Sequence, residues 1–281
     1  MAIDLVTEFQ PYVDEVFTTE SKKSLLTNND FKWSGAHTIK AYKVSTSEMN
    51  DYKRNPEEGF TGSRYGTIKD LDATTEEFTL KKDRSFTFAI DKLDADETKR
   101  NVEAASALAR QQREVIVPEV DKYVYGVMCT SAGIKPAAVA LTSDNIYDEI
   151  IKAGAELDDS EVPDTGRNLV VTPQTLLLMK KNSVISLNSD IGQELRLKGV
   201  VATLDGMNVV KVPASRLPEN FGFMIAHPVA TVAPTKLEDY KIHQDPPGIS
   251  GDLVEGRIVY DAFVLDNKKK AIYYQENTPT T

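Results

Sequence analysis

The chain has 281 residues, of which 41% are hydrophobic, and a formal net charge of −10. That length suits one large domain or two modest ones with a real core, and the acidic balance excludes a surface that grips nucleic-acid phosphates all round, while leaving room for a local basic patch. No apolar run approaches the ~20 residues that cross a bilayer, the opening Met1-Ala2-Ile3-Asp4-Leu5 is no secretory signal, and the single cysteine, Cys129, excludes an internal disulfide and a multi-cysteine zinc site, which fits folding in a reducing cytoplasm.

The first thirty-five residues read as a loosely attached arm. Val6, Phe9, Val13, Val16 and Phe17 make a weak helical stripe that Pro11 interrupts, and a turn-rich piece from Asn28-Asn29-Asp30 to Trp33-Ser34-Gly35 comes next. Trp33, the only tryptophan, would plug the nearest core or anchor the arm on another subunit. His37 to Val44 has the alternation of a strand, with Lys40, Tyr42 and Val44 on one face. A second strand-like run alternates Phe78 and Leu80, then Phe86, Phe88 and Ile90, with polar or small neighbours. Between the two, Ser45 to Thr75 holds Gly59, Gly62 and Gly66 and many charges, among them Lys53, Arg54, Glu57, Glu58, Arg64, Lys69, Asp70 and Asp72. It has too few large aliphatics for a core of its own. A structureless loop of that length is unusual in a compact domain, so the stretch is either disordered or an extension that orders against a neighbour.

From Asp96 to about Gly133 the apolar residues Val102, Ala105, Ala109, Ile116, Val120, Tyr123 and Val127 fall at three- and four-residue spacing, interrupted only by Gln112. Such spacing stacks side chains into one stripe on a helix. Lys99, Arg100, Glu103, Arg110, Arg113, Glu114, Asp121 and Lys122 occupy the other faces, Asp94 or Asp96 can cap the start, and Gly133 suits the far end. A rod of about 45 Å results at ~1.5 Å per residue. Pro118 removes a backbone donor and crowds the carbonyl four residues back, which predicts a kink or break. The helix reads either as an ordinary core helix or as a spine to which flanking sheets attach. Cys129, near its end, reads as a small buried apolar group rather than a reactive thiol.

Lys135 to Leu141 is a short link. A second helix, opened by Thr142, Ser143 or Asp144, lines Ile146, Ile150, Ala153 and Leu157 on one face. An acidic loop, Asp158 to Gly166, leads to a buried strand, Asn168 to Val171. Thr172-Pro173 opens a third helix, with Lys180-Lys181 at the negative end of its dipole. Val200 to Thr203 and Met207 to Val212 pair across the tight turn Asp205-Gly206. Phe223 to Ala226 is another strand. Asp245-Pro246-Pro247-Gly248 is rigid punctuation, and two last strands, Arg257 to Leu265 and Ala271 to Tyr274, turn at Asp266-Asn267 before a polar tail. The order is that of an α+β chain.

No catalytic constellation stands above background. The glycines at 59, 62 and 66 match no phosphate-loop spacing, and Gly248-Ile249-Ser250-Gly251 lacks the nucleophile-elbow spacing. His37, His227 and His243 lie far apart, without partners at metal-ligand spacing, and read as surface or strand residues. Asp91, Asp94, Asp96 and Glu97 lack the glycine and terminal glutamate of a calcium loop, so helix capping explains them better. Asp158, Asp159 and Glu161 read as a solvated loop. The expectation is no catalytic residue, no metal and no cofactor.

The order of parts resembles the major capsid protein of tailed bacteriophages, the Hong Kong ninety-seven fold. The resemblance is carried by the arm to about residue 37, the charged excursion Ser45 to Thr75 between two strands, and Phe86-Thr87-Phe88-Ala89-Ile90-Asp91 running straight into the long helix. It continues through Val162-Pro163-Asp164-Thr165-Gly166-Arg167-Asn168-Leu169-Val170-Val171-Thr172-Pro173, Gly206 to Pro213, Gly222-Phe223-Met224-Ile225-Ala226-His227-Pro228 and Tyr260-Asp261-Ala262-Phe263-Val264-Leu265. Order and spacing carry it, since no single motif is diagnostic.

The resemblance implies a capsid fold with an N-terminal arm (1–37), an extended β-hairpin loop with flanking strands (38–84), a peripheral domain with the spine helix (85–137 and 228–262) and a mixed α/β axial domain (138–227 and 263–281). It implies no enzyme but a self-assembling structural protein of the virion, made in the host cytoplasm, whose hexamers and pentamers form an icosahedral head around double-stranded DNA held by non-specific contacts. Its partners would be copies of itself, a separate scaffolding protein (the chain begins at Met1, almost at the arm), a portal and decoration proteins, with no membrane. Contacts between subunits would come, by region, from Trp33, Lys53, Arg54, Glu57, Glu58, Phe60, Arg64, Tyr65 and Lys69. Lys53 and Lys69 are also candidates for the lysine cross-links that some members make. Two alternatives stand beside this: an encapsulin-type shell that encloses cargo enzymes, and a soluble hydrolase or ligand-binding protein.

Overall fold

The computed structural model describes residues 21–28, 38–44, 47–55, 61–67, 70, 73–92, 104–185 and 200–278. They fall into two compact units, Ser34–Leu80 and a second built from Met1–Trp33 with Lys81–Thr281. The smaller unit holds β1 (Thr38–Val44) and β2 (Ala73–Thr79), paired antiparallel from Thr38 opposite Thr79 to Val44 opposite Ala73. The predicted strand and excursion are therefore a hairpin, its second strand starting two residues before Thr75.

In the larger unit, β3 (Lys82–Asp91) is an edge of a three-stranded antiparallel sheet ordered β3-β10-β9, with β9 at Thr235–Gln244 and β10 at Gly251–Tyr260. The alternation seen in β3 continues across the sheet: Phe86 lies opposite Gly256, and Gly256 opposite Tyr240. The two rings pack 6.1 Å apart over the glycine. The sequence reading has no strand at Thr235–Gln244, and its single strand Arg257 to Leu265 is corrected. Those residues are the end of β10 and the short β11 (Phe263–Val264), which pairs instead with β8 (Thr231–Val232). Asp261 makes the corner: its carboxylate accepts from the Lys81 amide, the Tyr123 hydroxyl and the Ala262 amide at 2.7–2.8 Å.

The long helix runs as α1 (Ala104–Gln111), a π-helical turn (Gln112–Ile116) and α2 (Val117–Ser131). Pro118 neither breaks nor ends it. The wide turn sits where the proline ring would crowd the carbonyl of Glu114, and spares that clash while the helix continues. The buried face is Ala104, Leu108, Gln112, Ile116, Val117, Val120, Asp121, Val124, Tyr125, Met128 and Cys129. Of the predicted stripe's described residues it shares only Ile116 and Val120: Ala104 and Leu108 are buried in place of Ala105 and Ala109 before the π turn, and the extra residue of that turn rotates the helix beyond it. Gln112 and Asp121, read as an interruption and a solvent-facing acid, are both buried. Gly133 is no left-handed cap. A Cβ there would sit 2.5 Å from the Lys269 carbonyl carbon, so the small residue is needed for close backbone approach, sealed by the Gly133 amide donating to the Lys269 carbonyl at 2.8 Å.

α3 (Ile146–Asp159) buries Ile146, Ile150, Ala153 and Leu157, as its spacing predicts. Thr142 and Asn145 close its start reciprocally, each side-chain oxygen accepting from the other's amide. β4 (Asn168–Val171) is buried throughout, and α4 (Pro173–Lys181) is capped by Thr172, whose hydroxyl accepts from the Thr175 amide at 3.0 Å. β5 (Val200–Leu204) and β6 (Met207–Lys211) meet across Asp205 (φ 47°) and Gly206 (φ 77°), the two positive angles of a type I′ turn. With β7 (Phe221–Ala226) and β12 (Ile272–Glu276) they form a five-stranded sheet, β12-β7-β4-β6-β5, in which only β4 and β6 are parallel. The core lies between this sheet, α2, α3 and α4.

Residues 21–28 correct the reading of a loosely attached arm over their own length. Leu26 is fully buried, the Asn28 amide donates to the Thr231 carbonyl at 2.7 Å, and the Asn168 side chain donates to the Leu25 carbonyl at 2.8 Å. The Val6–Phe17 stripe and Trp33 lie outside the described residues.

Candidate assembly surface

The hairpin Ser34–Leu80 is the segment the sequence marks for contact. Its strands hold the ends of the charged excursion side by side. Within it the two limbs meet again: the Lys53 amide donates to the Arg64 carbonyl at 3.0 Å, and the rings of Tyr52 and Tyr65 pack edge to face at 5.0 Å. Gly66 turns the chain at φ 91°, its amide donating to the Ser63 carbonyl. Met49 is wholly exposed, Tyr65 is 78% exposed and Tyr52 51%. Of the predicted contact residues, Lys53, Arg54, Arg64 and Tyr65 are all exposed, and Lys53, Arg64 and Tyr65 come together where the limbs meet. Trp33, Glu57, Glu58, Phe60 and Lys69 lie outside the described residues. Met49 and Tyr52 are additions. Each is a large apolar side chain in a stretch nearly without them, and that rarity is the signal that could have singled them out. Cations beside exposed rings can bind carboxylates and cover apolar surface.

In the larger unit the chemistry-bearing side chains are tied into the fold. Asp121, 1% exposed, accepts from the Ser21 hydroxyl at 2.6 Å and from Arg216 at 2.9 Å. Burial pushes its carboxyl above the usual range, against the pull of Ser21 and Arg216. The Tyr123 phenol is raised by burial and by donating to Asp261. Burial pushes the Cys129 thiol up to about 12, with its Sγ 3.9 Å from the Met224 sulfur, as expected of an inert apolar group. Asp158 is not merely solvated: it pairs with the buried Arg167 guanidinium at 2.7 Å, as does Asp164 at 3.0 Å, and Arg167 also donates to the Val162 and Pro163 carbonyls. His227 caps the short helical turn Pro228–Ala230, its Nδ1 accepting from the Val229 amide, and His243 lies 3.4 Å from Glu255. His37, Asp94, Asp96 and Glu97 fall outside the described residues. Among the described residues no three His, Cys, Asp or Glu gather as a metal site, and no helix is long and apolar enough to cross a membrane.

The sequence matches no family model and no curated protein. The fold does have solved relatives. It is similar to the capsid structure of the cyanophage P-SCSP1u, at 15% identity and a TM-score of 0.67 over 91% of this chain and 87% of that one. A protein of Mycobacterium phage Che8 is similar at 19% identity and a TM-score of 0.66, over 85% and 84%. The virus-like particle from Pyrococcus furiosus is similar at 13% identity and a TM-score of 0.57, over 96% and 98%. The chain thus has the Hong Kong ninety-seven-type capsid fold that its order of parts predicts.

Proposed function

We propose that this chain is the tile of a closed shell: a structural major capsid protein whose copies gather as hexamers and pentamers and close into the icosahedral head of a tailed phage around double-stranded DNA. The observation that carries the reading is the span of the likeness, which takes in nine-tenths of this chain and almost as much of a cyanophage capsid chain.

In this reading residues 1–37 are an arm, 38–84 the extended loop, 85–137 with 228–262 the peripheral domain and 138–227 with 263–281 the axial domain. The hairpin supplies subunit contacts. Met49, Tyr52 and Tyr65 lose their exposure under a neighbouring copy, and Lys53, Arg54 and Arg64 meet its acids, of which a chain with 43 Asp and Glu against 33 Lys and Arg has an excess. Trp33, Glu57, Glu58, Phe60 and Lys69 belong to the same contact set. Ordering such a segment costs entropy that burial between chains offsets. A scaffolding protein, a portal and decoration proteins are the expected partners, the packaged DNA is touched without sequence preference, and the product is a virion assembled in the host cytoplasm.

A second reading, a shell around cargo enzymes, is favoured by one observation: the Pyrococcus furiosus particle subunit covers 96% of this chain, though at the lower TM-score of 0.57. Negative-stain microscopy of the chain expressed alone, with a scaffolding partner and with a cargo enzyme tests both. Closed shells support assembly, and the partner they require separates the two. A stable monomer under all three conditions would overturn both.

A further inference from the structure

The segment Ser21–Asn28 touches four separate elements within eight residues. Ser21 donates to Asp121 in the second turn of α2, and Lys22 donates to the Lys211 carbonyl at the end of β6, both at 2.6 Å. The Leu25 carbonyl accepts from Asn168 at the start of β4, and the Asn28 amide donates to the Thr231 carbonyl of β8. Between these anchors Leu26 is fully buried in the core. The first anchor is itself cross-braced: Asp121 also binds Arg216, in the short helical turn just after β6.

We propose that Ser21–Asn28 is an intramolecular clasp that fixes the angle between the long helix and the five-stranded sheet, with Leu26 as its plug and Asp121 as its keystone. The need for one lies in how α2 is held. Its last turns pack on the five-stranded sheet, where Cys129 lies against Met224. Earlier, Tyr123 packs edge-on against Tyr260 of β10, and Glu119 binds Arg84 of β3. The helix therefore bridges two sheets that share no strand pairing. Asp121 lies between Glu119 and Tyr123, at the footing on the three-stranded sheet, and the clasp ties this level of the helix to β4, β6 and β8 at once. Buried polar partners act as a lock because leaving any one of them unpaired is costly. The groups around Asp121 support this: Lys22, Lys23 and Arg216 supply positive charge on two sides, and Tyr125 stands one helical turn away on α2.

The test uses the whole chain with Cys129→Ser and spin labels at Lys122→Cys on α2 and Lys180→Cys on α4, both exposed positions. The distance between labels is measured by pulsed electron resonance, with hydrogen exchange alongside, in the parent and in the Ser21→Ala, Leu26→Ala and Ser21→Ala/Leu26→Ala variants. The parent should give one narrow distance. The double variant should broaden it, and amides 22–28 should exchange roughly tenfold faster or more while β4 and β7 keep their protection. Ser21→Ala alone should give an intermediate width. An unchanged distance with a freely exchanging segment would overturn the proposal, because the clasp would then set no angle. Loss of protection in β4 and β7 together with residues 22–28 in Ser21→Ala, the mildest variant, would overturn it too, because the segment would then be one piece of a single cooperative core.

Discussion

Asp121 concentrates the residue-scale physics. Its carboxylate is buried, raised by that burial, and held by one hydroxyl and one guanidinium. Removing the guanidinium should hurt more than neutralising the acid, because it strands a buried charge. Arg216→Leu should cost about 3–5 kcal/mol, and Asp121→Asn, which keeps an acceptor for Ser21, clearly less, by chemical denaturation. Burial also sets how the chain meets alkali. Tyr260 and Tyr273 are pushed up to about 12 from an ordinary 10.0, Tyr260 by burial and by Glu119 beside it, Tyr273 by burial and by Glu156 and Glu149. Unfolded phenols ionise first, so stability intact below pH 10.0 falls as pH rises through about 12. A phenolate absorbance titration should show a late step coincident with loss of far-ultraviolet dichroism. A simple titration near the ordinary value with the fold intact would contradict this. Cys129, with its thiol near 12, should resist alkylation at neutral pH until denaturant is added.

At the scale of elements, the helices with local rules behave by those rules. Ile150→Ala, on the fully buried face of α3, should cost about 2–5 kcal/mol, and Thr172→Ala, which removes the α4 cap, about 1 kcal/mol, both read from denaturant midpoints. These elements were legible in the sequence because period and cap are local: Ile146, Ile150, Ala153 and Leu157 keep an unbroken spacing, and Thr172-Pro173 is a start signal by itself. The long helix was legible in existence but not in face: on α1 the small Ala105 and Ala109 were read for Ala104 and Leu108, and beyond it the π turn at Gln112–Ile116 shifts the phase, which no spacing rule announces. β9 was missed since the buried Tyr240 and the half-buried Ile242 stand amid Lys, Asp and Glu that look like a loop. β10 was cut short because Gly251 and Gly256 look like breakers, whereas Gly256 makes room for the Phe86 and Tyr240 rings. The Asp121 site was illegible because its partners lie 100 and 95 residues away in the chain.

Across the whole molecule, exposed Met49, Tyr52 and Tyr65 stand out beside Lys53, Arg54 and Arg64, in a hairpin whose described residues bury one large apolar side chain, Phe78. The sequence pointed to this segment by what it lacked, large aliphatics, and could not say which residues its limbs bring together. That pairing, between Lys53 and Arg64 and between Tyr52 and Tyr65, depends on the path of the intervening chain. The proposed shell therefore makes its sharpest claim here, that these residues serve assembly and not the stability of one copy. Because β2 begins at Ala73, deleting Glu48–Asp72 spares both paired strands. The direct measurement is sedimentation velocity of the full chain and of this deletion, each with a scaffolding partner and matched for circular dichroism and melting temperature. The full chain should sediment as closed shells and the deletion as a folded, soluble subunit. Shells formed equally well without residues 48–72, or a deletion that no longer folds, would contradict the account.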